Sequence, residues 1–146
     1  MSTSCDAAAP DAPARVMTIT EVIENIDALD GQRVEVAGYL TACMGYDCRL
    51  FRNQSDKDQW DRHIEQIIRD RSSTIGAPPV LGIGSGENVD FDTKAAAFAN
   101  SYVVVTGTVT NRCRYRGMPA CTDRSTDLEP EAVRRGQAVP AGGVGQ

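Results

Sequence analysis

The chain has 146 residues, a one-domain length at which folding can bury about two-thirds of the surface exposed by the unfolded chain. Its formal net charge of −5 sets up a field that repels a phosphate backbone, so duplex nucleic acid is an unfavourable partner and any anion has to be held by a local basic cluster. No segment is long and apolar enough to cross a bilayer as a helix.

Residues 1–15 are rich in Ala and Pro with little to bury, and are expected to form a flexible N-terminal segment. They carry no apolar run of an export signal. Cys5 followed by an Ala/Pro spacer is what would remain if such a signal had been replaced by a start Met, leaving Cys5 lipidated, free or intermolecular. A periplasmic or envelope-associated location is therefore expected, with the cytoplasm as the alternative. Lys57 and Lys94 are the only lysines, and this arginine bias, with abundant Ala and Gly, reads as a GC-rich bacterial genome.

The folded domain is expected over 16–134. In "TITEVIENIDALDG", Thr18 precedes Glu21 by the capping-box spacing, and Ile19, Val22, Ile23, Ile26 and Leu29 share one helical face up to Gly31. "RVEVAGYL" then alternates Val34, Val36, Gly38 and Leu40, a strand with one buried face. "CRLFRN" (48–53) is a second strand. A helix follows from Ser55 to Ser72, with Trp60, Ile64, Ile67 and Ile68 on one apolar stripe. "PVLGIG" (79–84) is a third strand, and a short helix is expected from Asp92 to Asn100.

"YVVVTGTV" alternates Val103, Val105, Gly107 and Val109 and so echoes the first strand as V-x-V-x-G-x-aliphatic, with each glycine inward where a small barrel needs sharp coiling. "CTDRSTDLEP" (121–130) is the fifth strand. Residues 135–146 are expected to be a flexible C-terminal tail.

"LDGQRVEVAGYL", "CRLF" and "ANSYVVVTGTV" together resemble the first, second and fourth strands of an OB-fold, and the chain from Leu29 to Leu128 is similar to small bacterial OB-fold-like proteins of uncharacterised function. The resemblance implies an α+β, mainly β architecture: a five-stranded small barrel with an N-terminal helix and a helical insertion between strands two and three. It also implies that "CMGYDC" joins strands one and two, and "CRYRGMPAC" strands four and five. These are the two loops that flank the ligand face of many OB-folds.

Four cysteines in those loops allow three pairings, and local bonds, Cys43 with Cys48 and Cys113 with Cys121, are the expected ones. Cross-pairing, a four-thiolate zinc site and reduced buried thiols are the alternatives. Arg112, Arg114 and Arg116 alternate to one side of an extended backbone, opposite Cys113 and Tyr115. With Tyr46, Arg49 and Arg52 they form a basic, aromatic rim suited to phosphate, carboxylate or a single strand. Asp123, Asp127, Glu129 and Glu131 follow closely, and ordinary ion pairs with these arginines are the competing explanation.

The glycines of "GIGSGEN" lack the spacing of a phosphate loop, and His63 is the only histidine. No G-x-S-x-G or H-E-x-x-H is present, so no catalytic residue, metal or cofactor is expected. The expected function is a monomeric, non-enzymatic OB-like binding or accessory module. Its ligand-binding candidates are Tyr46, Arg49, Arg114, Tyr115 and Arg116. The alternatives are a protein interaction module that docks through the helix around Trp60, and a small hydrolase with an unrecognised site.

Overall fold

The computed structural model describes residues 15–43, 48–70, 76–83, 89–110 and 127–137. Its centre is the pairing of β2 (Arg33–Leu40) with β5 (Ser101–Val109), antiparallel from Arg33 opposite Thr108 to Leu40 opposite Ser101. The two V-x-V-x-G stretches run against each other, with Val34 opposite Gly107, Val36 opposite Val105 and Gly38 opposite Val103. Each glycine thus faces a valine. The alternation buries Val34, Val36, Leu40, Val103, Val105 and Val109 in one core.

Both glycines mark close approaches of a neighbouring strand. A Cβ on Gly38 would lie 2.6 Å from the Phe51 carbonyl oxygen and 2.8 Å from Leu50 Cγ, and one on Gly107 would strike the Glu129 carbonyl oxygen. Here β3 (Arg49–Phe51) folds against β2, and β6 (Leu128–Arg135) against β5. The register of β6 shifts where Thr106 faces Ala132 but Gly107 faces Pro130, leaving Glu131 as the extra residue of a bulge. Pro130 is tolerated there because a bulge does not require its missing N–H.

β4 (Val80–Gly82) pairs with β3, so the sheet order is β4-β3-β2-β5-β6, and β1 (Val16–Thr18) adds to β2 in parallel. Thr18 ends β1 and caps α1 (Ile19–Glu24): its hydroxyl accepts the Glu21 N–H at 3.1 Å, and the Glu21 carboxylate accepts the Thr18 N–H at 2.9 Å. That backbone hydrogen bond, helped by Arg15, holds the Glu21 pKa below its ordinary value. Ile19 and Val22 of α1, Ile26 of α2 (Ile26–Leu29), and Phe91 and Ala95 of α4 (Val89–Ala95) complete the core. The longest helix, α3 (Gln54–Arg69), leaves the sheet between β3 and β4.

The α+β class, the N-terminal helical segment and the helical insertion are as expected. Three features differ. The sheet has six strands and is open, where a closed five-stranded barrel was expected. β4 and β6 meet only at one parallel bridge, Ile83 with Leu128, beside a 2.9 Å hydrogen bond from the Asp127 N–H to the Gly82 carbonyl. β3 and β4 have three residues each, too few to carry a ladder around the core. The N-terminal helix breaks at Asn25, whose side-chain amide donates to the Glu21 carbonyl at 2.8 Å. The last helix starts earlier than expected and ends in a 3-10 turn, after which Asn100, at φ 59°, swings the chain into β5.

If the close approaches at Gly38 and Gly107 shape the sheet, replacing either glycine by Ala should cost about 1–3 kcal/mol through crowding against backbone atoms that cannot move aside. Urea unfolding of the two variants checks this, and unchanged midpoints would contradict it.

Candidate functional site

The alternation that buries Leu50 turns Arg49 and Phe51 to the opposite face of β3. On that outer face Phe51 lies opposite Tyr39 of β2, and Tyr39 opposite Tyr102 of β5. The result is an aromatic row across three strands, with the tyrosine rings edge to face at 5.1 Å.

The first half of α3 is built to sit there. Buried Asn53 is its N-cap and accepts the Asp56 N–H at 2.9 Å, while the buried Asp56 carboxylate takes two hydrogen bonds from Arg52, at 2.5 and 3.2 Å. The Tyr102 hydroxyl accepts the Gln54 N–H at 3.1 Å, which ties the helix start to β5. Trp60 then brings its indole to 6.0 Å from the Phe51 ring, and the Arg49 guanidinium lies 4.9 Å above the indole. Phe51 is fully buried as a result. Burial lowers the pKa of Arg49, and burial pushes the Tyr39 phenol up against the opposing charge of Lys57.

Beyond Trp60 the helix packs on little. Ile64, Ile67 and Ile68 are 37%, 41% and 79% exposed, so the stripe expected to face a core instead faces outward. A groove of about 690 Å³ runs between Arg49 and this part of α3, lined by Trp60, Asp61, Arg62, Ile64, Glu65 and Ile68. Two of its acidic groups are neutralised along the helix, Asp61 by Lys57 at 2.7 Å and Glu65 by Arg69 at 3.0 Å. Arg62 forms no ion pair among the described residues.

Of the ligand-binding candidates, Arg49 is at this groove. Tyr46, Arg114, Tyr115 and Arg116 lie outside the described residues, as do Cys113 and Cys121. Cys43 and Cys48 form the expected local disulfide, with a Cα separation of 4.2 Å. A disulfide leaves neither sulfur as a thiolate ligand, so the four-thiolate zinc alternative falls away. The Thr41 hydroxyl accepts the Arg49 N–H at 3.0 Å and fixes the start of β3 beside this bond. His63 lies 5.8 Å from Trp60, ring to ring.

Tyr39, Phe51, Tyr102 and Arg62 belong to the site although their spacing in the sequence does not mark them. The period-2 pattern contains the signal for Tyr39 and Phe51, since the residue beside a core position must face outward. Comparison with protein families, curated proteins and solved structures finds no match to this chain.

Trp60 is the only tryptophan, so its emission reports this site alone. Arg49→Ala should move native emission to longer wavelength and cost about 1 kcal/mol of stability; an unchanged spectrum would show that the indole does not lie under the guanidinium. Replacing Cys43 and Cys48 together by Ser should cost about 2 kcal/mol, the loop-closure entropy of so short a ring. Protein isolated without reductant should withhold both thiols from alkylation, and free thiols at both positions would contradict the bond.

Proposed function

We propose that the chain is a non-enzymatic, OB-like binding module of an oxidising compartment that engages a protein partner through the outer stripe of α3. The strand order β4-β3-β2-β5-β6, the parallel meeting of Ile83 with Leu128, and the coiling at Gly38 and Gly107 support the OB-like reading. In that reading β3 and β4 correspond to barrel strands two and three, whose outer face takes the ligand in many OB-folds. Here the face carries an aromatic row of the kind on which bases or sugars stack, but α3 lies over it and Phe51 has no exposed surface left. The surface available to a partner is then the far side of α3. The disulfide between Cys43 and Cys48 supports an oxidising location.

The exposure of Ile68, 79% on a helix whose first half is anchored, carries this reading. A partner that covers Ile68 gains about 1.5–3 kcal/mol from that side chain alone. The test is affinity capture from the cells that make the protein, with the native chain and the Ile64→Asp/Ile68→Asp double variant immobilised in parallel. Both substitutions lie at exposed positions, so melting should be unchanged. The native chain should retain a protein that the variant loses, and identical captured sets would contradict the proposal.

A further inference from the structure

The charges around the same groove constrain what fills it. Asp61 and Glu65 are neutralised by Lys57 and Arg69, whereas Arg62 meets no carboxylate among the described residues and Arg49 presents a half-buried guanidinium at the wall. The local charge left over is positive, on a chain whose net charge is −5. A desolvated guanidinium gains most from a carboxylate, which it can hold through two parallel hydrogen bonds. The apolar floor runs from Trp60 to Ile68, a rise of about 12 Å along the helix, which matches side chains at i, i+4 and i+7 of a second helix laid alongside.

We infer that the occupant of this groove is an amphipathic helix of a partner protein whose apolar stripe is flanked by carboxylates. The inference rests on the proposed role of α3 as the docking surface. A second copy of α3 fits less well. Antiparallel pairing that sets Trp60 against Ile68 and Ile64 against itself places Asp58 opposite Asp70 and Arg62 opposite Gln66, so like charges face each other and Arg62 stays unmatched. Nor do residues 1–14 and 138–146 offer anchors, for they contain no Leu, Ile, Phe, Tyr or Trp.

The test uses the full chain and Trp60 emission as the readout. Two synthetic helices of roughly 18 residues share an alanine backbone and leucines at i, i+3, i+4 and i+7, and differ only in carrying Glu or Lys beside that stripe. The Glu peptide should shift Trp60 emission and bind at least about tenfold more tightly than the Lys peptide at low salt, a ratio that shrinks as salt rises. Arg62→Glu, a change at an exposed position, should reverse the preference. The net charge favours the Lys peptide, so a preference for Glu has to come from the groove.

Equal or tighter binding of the Lys peptide, binding of neither peptide, or a shift in Trp60 emission with protein concentration alone would overturn the inference. Those outcomes leave the module reading intact if capture still depends on Ile64 and Ile68. Loss of that dependence overturns the module reading itself.

Discussion

The reciprocal facing of Gly38 with Val103 and of Gly107 with Val34 is the constraint on which the rest of the structure depends. Without a side chain at Gly38, the Phe51 carbonyl and Leu50 can press onto β2; without one at Gly107, the Glu129 carbonyl can press onto β5. The sheet therefore bends at both places and wraps its valines around a core closed from below by Ile19, Val22 and Phe91. The same close approach fixes the facing of β3, so that Leu50 goes inward and Arg49 and Phe51 outward. The outer aromatic row follows directly from that choice.

An aromatic row on an outer sheet face has to be covered or used. Here it is covered, and α3 is made of two unequal halves for that reason. From Asn53 to Trp60 the helix is held by a buried cap, by the Arg52 hydrogen bonds to Asp56, by the Tyr102 hydroxyl and by the contacts of Trp60 with Phe51 and Arg49. From Ile64 to Arg69 the apolar residues are exposed, and ion pairs along the helix contribute only a few tenths of a kcal/mol each. Helical order in the second half thus draws on the first half for support. A partner laid into the groove would supply the packing that the chain itself does not.

Much of this was legible in the sequence, for identifiable reasons. The V-x-V-x-G echo located β2 and β5 because period-2 burial leaves an unambiguous mark, and the five-residue separation of Cys43 and Cys48 made their local bond the expected one. The boundaries of α3 were close because a cap, acidic residues near its start and a regular stripe all agree. The stripe did not reveal its destination, since an apolar face has the same periodicity whether it meets a core or a partner. β1 escaped notice because three residues of mixed polarity carry no alternation, and the break at Asn25 depends on a side chain competing for a helical carbonyl. The aromatic row of Phe51, Tyr39 and Tyr102 required the register of three strands, which spacing along one chain does not contain.

The central claim is that α3 is anchored over the sheet at its start and unsupported at its end. Amide hydrogen exchange resolved along the free protein tests it most directly. The account predicts the slowest exchange in β2 and β5, clear protection in α3 as far as about Trp60, and a steep loss of protection from Ile64 to Arg69. Protection from Ile64 to Arg69 equal to that of β2 and β5, in protein shown to be monomeric, would contradict it.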